Sequence, residues 1–365
     1  MRSRPNPHAA TLALAALLAA AAVPAWAVET VSERSERAAD VAGIARLVVE
    51  NSRGRVELRP SPDDRLHVAA LKTCRGGRVE DARRLADGTS VRAGAEGPDY
   101  VVHVDYPRRM DVRLGFWDLF GGDGWGDRRH PLDEVALTLA VPAGLPVQVR
   151  TVSGDVDSQG IAAAQDLHTT SGDLRLYDAG GPAGVATVSG DLEAGRVGRA
   201  RVHTTSGDVV VNGARGALEV RTVSGDVTLD AAADSVQVHT VSGDVTVGAA
   251  PRGLVAGSTS GRVTALAVSG GVRAASTSGT VRVELRPPLG GVTLESTSGD
   301  VRLELPAAAD ASLDLSSLSG SLASDVPLRI RERGRHRLVG DAGRGGPPVR
   351  LRTASGDITV TRGGN

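Results

Sequence analysis

The chain has 365 residues, with 42 basic and 43 acidic side chains and a formal net charge of −1. That balance gives no electrostatic drive toward nucleic acid, and a single cysteine, Cys74, excludes an intrachain disulfide. Hydrophobic residues make up 41% of the chain but aromatics only 2%, so a core must be filled with Val, Leu, Ala and Thr, which suits a narrow interior.

Residues 1–27 read as a secretory signal peptide. Arg2 and Arg4 form a short positive region, Ala9 to Val23 is an apolar run, and Ala25-Trp26-Ala27 is a small-residue cleavage site. Cleavage after Ala27 starts the mature chain at Val28. The apolar run is short for a bilayer span, and no later run is long enough for a transmembrane helix. The expected location is extracytoplasmic: the periplasm, the cell surface or beyond.

Residues 28–145 lack a strict repeat but read as a β-rich N-terminal cap, with strand-like stretches such as "IARLVVEN", "DYVVHVDYP" and "EVALTLAVP". "EDARRLADG" fits a short helix or a loop. "NSRGRVEL", Asn51 to Leu58, looks like a degenerate copy of the repeat turn that follows later. Within this region lies a Gly-rich loop, 107–131, whose segment "GFWDLFGGDGWGD" holds Phe116, Trp117, Phe120 and Trp125. Two readings stand: a plug folded against the sheet, or an exposed contact site for a protein, glycan or membrane partner.

Residues 146–325 are repetitive. Ser-Gly recurs at Ser153, Ser171, Ser189, Ser206, Ser224, Ser242, Ser260, Ser278, Ser298 and Ser319, spaced by 18, 18, 17, 18, 18, 18, 18, 20 and 21 residues. An extra copy at Ser269 falls midway between two others, and a last copy, Ser355, lies two periods beyond Ser319. Four places before each Ser the residue is apolar, two before it is Thr or Ser, and three after it is Val, Leu or Ile. This period-2 alternation makes both flanks strands. The invariant Gly marks a turn, expected to need positive φ. Eighteen residues fit either one hairpin of a long meander or one coil of a parallel β-solenoid. The solenoid is preferred: a meander of this length would curl into a barrel or sandwich and use large aromatics, whereas stacked coils keep one residue type per position at about 4.8 Å spacing. The midway Ser269, with Gly180, Gly198, Gly253 and Gly290 near other half-coil points, predicts a second turn per coil. The inward Thr hydroxyls are expected to bond to one another between coils. Residues 326–365 form the C-terminal coils and cap, with "RIRERGRHRLVGDAGRGGPPVRL" as a strand pair or loop within the last two coils.

"LVVENSRGRVELRP" and "VALTLAVPAGLPVQVRTVSGDV", followed by tandem T-x-S-G-D-V units, resemble the bacterial putative-adhesin family of secreted β-strand-repeat domains of unknown function, and are similar to the head domains of putative autotransporter adhesins. The resemblance spans nearly the whole mature chain. It implies a β-solenoid-like fold and an envelope or surface protein with no established catalytic residue. Such a fold does not itself specify a function.

For chemistry, Asp155, Asp173, Asp191, Asp208, Asp226 and Asp244 follow the Gly in six successive coils. As turn residues they bond their own backbone; as a stacked carboxylate row they are candidate calcium ligands. Arg262, Gly271, Thr280 and Ser321 replace the Asp in other copies, which favours the turn. His168, His203 and His239 share one outward position, with strands between them, too far apart to share a metal. No nucleophile elbow, P-loop or dinucleotide fingerprint occurs. No catalytic or cofactor-binding residue is therefore assigned. The sequence reads as an exported, non-enzymatic β-solenoid, an adhesin-like binding or structural module of the cell envelope with an unidentified protein or glycan partner. The alternative is a β-helix-type polysaccharide lyase or glycoside hydrolase, which would need carboxylates converging on a groove.

Overall fold

The computed structural model describes residues 29–76, 78–107 and 132–363. The expected signal peptide and the aromatic residues Phe116, Trp117, Phe120 and Trp125 lie outside the described residues. The chain divides into two compact units, 1–154 and 155–365.

In the second unit the repeat is a β-solenoid. A series of strands runs from β9 (Val156–Gln159) to β23 (Val301–Leu305), two strands to a coil. The strand Ala183–Ser189 leads into one Ser-Gly turn and Leu192–Gly195 leads out of it. Both pair in parallel with their equivalents in the next coil: Val185 with Val202, Thr187 with Thr204, Ser189 with Ser206, and Leu192 with Val209. The 18-residue period therefore becomes an in-register stack in which each apolar ladder faces a narrow core. Val185, Leu192, Ala194, Val197 and Val202 are all buried there. No coil could offset its own ordering entropy alone, so stability comes from stacking.

The turn glycine is glycine for a reason other than the expected one. In this unit the glycines with positive φ include Gly160, Gly213, Gly253 and Gly270, at the opposite half-coil turn, while Gly190, Gly207, Gly225 and Gly243 are not among them. The constraint at the Ser-Gly turn is space. A Cβ on Gly225 would lie closer than 3.0 Å to the carbonyl oxygen of Gly207, and one on Gly243 would meet Gly225 in the same way. Each turn glycine rests on the peptide of the glycine one coil earlier, and backbone cannot yield as a side-chain tip can.

The inward hydroxyls also differ from expectation. They do not bond to one another. Ser276 donates to the Gly261 carbonyl at 2.8 Å and accepts from the Gly279 amide at 2.9 Å, and Ser258 makes the same pair of contacts with Gly243 and Gly261. Thr353 donates to Gly299 at 3.0 Å. By contrast the buried hydroxyls of Thr151, Thr187, Thr204 and Thr222 have no hydrogen-bond partner. Serine, with a single heavy substituent on Cβ, turns its hydroxyl onto the glycine peptide more freely than the β-branched threonine.

The last coils are threaded out of sequence order. Strands β24 (Ala311–Ser317) and β25 (Leu322–Ser324) form one coil, then β26 (Leu328–Arg333) and β27 (Arg337–Ala342) form an antiparallel hairpin. The final strands, β28 (Pro348–Thr353) and β29 (Ile358–Arg362), make the Ser355 coil. That coil inserts before the β24–β25 coil: β28 pairs in parallel with Val292–Ser296 on one side and with β24 on the other. The hairpin strand β27 then pairs antiparallel to β24 and ends the parallel run.

The first unit repeats this device. In chain order it contains β1 (Glu29–Asp40), β2 (Arg46–Arg53), β3 (Val56–Pro60), β4 (Arg65–Gly76), α1 (Val79–Gly88), β5 (Ser90–Glu96), β6 (Asp99–Asp105), β7 (Leu132–Val141) and β8 (Val147–Ser153). β2 lies between β6 and β8, parallel to both. The β2–β8 register sets Asn51 opposite Thr151 and Arg53 opposite Ser153, so "NSRG" stacks in register with the repeat turn, although its Gly54, unlike the repeat glycines, has a positive φ of 90°. Antiparallel strands close the outer side: β5 on β6, β4 on β7 and β1 on β4. The "EDARRLADG" stretch is helical, with Ala82 and Ala86 buried. Cys74 is fully buried in this cap and its thiol is pushed up in pKa, first by burial and then by the Asp133 charge.

Two substitutions separate the satisfied hydroxyls from the orphaned ones. Ser276→Ala should cost about 1–2 kcal/mol in denaturant unfolding, because it strips a donor and an acceptor from buried glycine peptides. Thr204→Val should be neutral or stabilising, since its hydroxyl is buried without a partner. Equal losses in the two variants would refute the distinction.

Candidate functional site

The Ser-Gly turns place the six Asp residues in a column, and the column is used structurally. Asp155 Oδ1 accepts from the Asp173 amide at 3.0 Å, Asp173 from Asp191 at 3.1 Å, and Asp191 from Asp208 at 3.0 Å. Asp208 accepts from Asp226 at 2.9 Å and Asp226 from Asp244 at 2.8 Å. The ladder ends on the Arg262 amide, 2.7 Å from Asp244 Oδ1. Each carboxylate thus bonds to the backbone of the next coil rather than to its own turn. At the other end of the unit Asp300 accepts from Asp357, and Asp357 from Ser321. The Ser321 bonds hold the Asp357 carboxyl below the usual carboxylate range. Among the described residues no three His, Cys, Asp or Glu side chains are grouped to hold a metal.

The strands entering the turns present a second feature, an outward polar face. Their alternation buries every other residue and leaves two outward columns. One carries His168, Ala186, His203, Arg221 and His239 on successive strands. It continues through Gly257, Ala275, Glu295 and Arg352. The histidines are therefore two strands apart and outward, as the sequence implied. His168 Nε2 lies 2.9 Å from Asp166 Oδ1. Glu219 takes Arg201 at 2.9 Å and Arg221 at 2.8 Å, and the Arg201 hydrogen bond holds its carboxyl below the usual range.

Small residues in these columns make two grooves. Gly184 and Ala183 floor one of 570 Å³, walled by Asp166, Arg201 and Glu219. Gly257 and Ala275 floor another of 590 Å³, walled by His239, Arg273, Glu295 and Arg352. His239 Nδ1 stands 3.1 Å from where a Gly257 Cβ would be, so the imidazole leans into the space that glycine leaves. Thr259, Thr277 and Thr297 rim this groove on the turn side. In other coils the same position is an exposed valine, as at Val188, Val223 and Val241. Sequence reasoning missed these grooves. The signal was present as a column that turns from His and Arg to Gly and Ala, but concavity appears only when the columns are aligned side by side.

In the first unit a polar network flanks the aromatic segment. Asn51, at the Thr position of the degenerate turn, donates to the Val135 carbonyl at 2.8 Å and accepts from the Tyr106 hydroxyl at 2.6 Å. That hydroxyl also lies within reach of the Arg53 carbonyl, and the Arg53 guanidinium pairs with Asp133 and sits 5.0 Å from the Tyr106 ring centroid. Burial raises the Tyr106 pKa, so the phenol stays neutral and donates. Tyr106 and Asp133 stand on either side of the segment carrying Phe116, Trp117, Phe120 and Trp125, and the coil turn ties both flanks together.

The chain matches the Toastrack DUF4097 family over residues 131–264 and again over residues 254–361. No curated protein matches it. Among solved structures it is similar to a "putative adhesin" from Bacteroides fragilis, at 11% identity over 90% of this chain and 96% of that one, with a TM-score of 0.32. It is similar to a "putative lipid binding protein" from Parabacteroides distasonis, at 13% identity over 91% and 97%, with a TM-score of 0.28. It is also similar to a "putative cell adhesion protein" from Clostridium sporogenes, at 8% identity over 91% and 100%, with a TM-score of 0.21.

The turn geometry sets a clear order of tolerance. Asp226→Asn keeps the Oδ1 acceptor for the Asp244 amide and should melt close to the parent. Gly225→Val forces side-chain atoms into the Gly207 peptide and should lose about 3 kcal/mol or more. Equal melting temperatures would overturn the assignment of the turn.

Proposed function

This chain belongs to the Toastrack DUF4097 family, and from that premise we propose that it is an exported, adhesin-like binding module of the bacterial cell envelope. The observation that carries the reading is the outward face: a rigid, in-register array of His, Arg, Glu and hydroxyl side chains with two open grooves. A stacked sheet fixes the backbone that carries such side chains at regular spacing, so binding orders side chains but no backbone, which favours recognition of an extended, repetitive partner such as a glycan or an unfolded protein segment. The aromatic residues Phe116, Trp117, Phe120 and Trp125 are a second candidate contact. The six turn aspartates serve as inter-coil ties in this reading.

The carboxylates support binding over glycoside chemistry. A hydrolase of that kind needs one carboxyl kept protonated near neutrality by a raised pKa. Among the described residues the carboxyls that shift, Asp63, Asp105, Asp178, Glu219, Asp310 and Asp357, all shift downward, each chiefly through a hydrogen bond.

The test is binding of the labelled full chain to intact cells and isolated envelopes, with protease shaving to locate the native protein. Arg273→Glu combined with Arg352→Glu should weaken binding by about tenfold with melting unchanged, since both side chains are exposed. Deleting residues 115–127 reports on the aromatic segment in the same assay. Undiminished binding by both variants, or a native protein found only in the cytosol, would refute the proposal.

A further inference from the structure

The β24–β27 end of the second unit carries a charge unlike the rest of the chain. Between Leu328 and Arg344 there are six arginines against Glu332 and Asp341, in a chain of net charge −1. β26 is the outermost strand, paired with β27 alone among the described residues, and Arg329 to Arg333 are all exposed. Part of the charge is spent locally: Arg331 on Asp341 at 3.1 Å, Arg337 on Asp314 at 3.1 Å, Arg344 on Asp310 at 3.0 Å. Arg333 and Arg335, at the hairpin tip, have no ion-pair partner among the described residues.

Two aliphatic side chains stand exposed at this end of the unit: Leu318, at the turn position that valine holds in other coils, and Ile330, opposite Gly340 on the outermost strand. The Ser317 amide donates to the His336 carbonyl at 3.1 Å, which brings the next residue, Leu318, to the hairpin tip. Leu318 is 70% exposed and Ile330, on β26, is 50% exposed. Protecting an open sheet edge calls for charge, but either sign would serve, and it does not call for exposed aliphatics. A basic edge with apolar side chains set into it matches the boundary of an anionic bilayer. Arginines meet the headgroup phosphates and the aliphatic side chains enter the acyl margin. An acidic polymer would use the arginines and leave Leu318 and Ile330 in water.

We propose that this end of the solenoid docks on a bilayer surface containing anionic lipid, through headgroup phosphates. The outward face of the coils plays no part in the contact, so failure of either proposal leaves the other standing. The experiment is sedimentation of the full chain with vesicles of phosphatidylcholine containing about a third phosphatidylglycerol, and with vesicles of phosphatidylcholine alone. Binding is expected only to the anionic vesicles and should fall steeply in about 0.5 M salt, where charges are screened within a few ångströms. Arg333→Glu combined with Arg335→Glu should reduce partitioning by about tenfold or more with melting unchanged. Leu318→Ser combined with Ile330→Ser should reduce it as well. Equal binding to both vesicle types, no binding to either, or full binding by the charge-reversed variant would overturn the proposal. So would capture on dextran sulfate with full vesicle binding by the serine variant, which would assign the arginines to an acidic polymer instead.

Discussion

The structure rests on one contact: a turn glycine whose Cα lies against the carbonyl of the glycine one coil earlier. It sets how closely successive turns approach and leaves no room for a side chain between them. Given that approach, the remaining inter-coil bonds fall into reach. The serine hydroxyl two residues before the Ser-Gly pair finds the preceding glycine's carbonyl, and the Asp carboxylate finds the next coil's amide. The apolar ladders behind the turn add burial, but burial alone is indifferent to register along a stack of near-identical Val and Leu rows. The turn supplies the register.

Much of this was legible in the sequence, because a solenoid writes its spatial period into the chain. The T-x-S-G-D-V spacing fixed which residues stack, and the alternation fixed which face inward. What the repeat could not convey was why its glycine is invariant. A glycine demanded by positive φ and one demanded by a neighbouring peptide leave the same letter in the sequence. For the same reason the hydroxyl at Ser276 was readable as buried, whereas its partner, a backbone carbonyl present in every residue, carries no sequence mark. The grooves were hidden for a related cause. Gly257 and Ala275 are unremarkable alone and become a floor only beside His239, Arg273 and Arg352, which lie up to a hundred residues away.

Charge is handled differently along the stack and at its edge. On the outward face, acids and bases pair within a strand or with the next one, so Glu219 answers Arg201 on the neighbouring strand and Arg221 on its own, and Asp166 answers His168. Such exposed pairs contribute little to stability individually, but they keep the face electrically mild and leave recognition to shape and hydrogen bonding. The hairpin beyond β24 breaks that balance with arginines that outnumber their partners.

In each unit one strand is inserted out of sequence order between two parallel neighbours: β2 between β6 and β8, and β28 between Val292–Ser296 and β24. A ladder built in sequence order can fray like a zipper, one rung at a time from its open end. In the second unit the outermost parallel coil strand, β24, comes earlier in the chain than the inserted one, and β28 is clamped on both sides. Freeing it by pulling along the backbone means sliding a strand lengthwise between two others, so that its hydrogen bonds must fail together rather than in turn. The same arrangement has a kinetic cost. The clamped rung forms only when a distant segment has returned to its place, and that closure adds long-range order to a fold otherwise made from near neighbours.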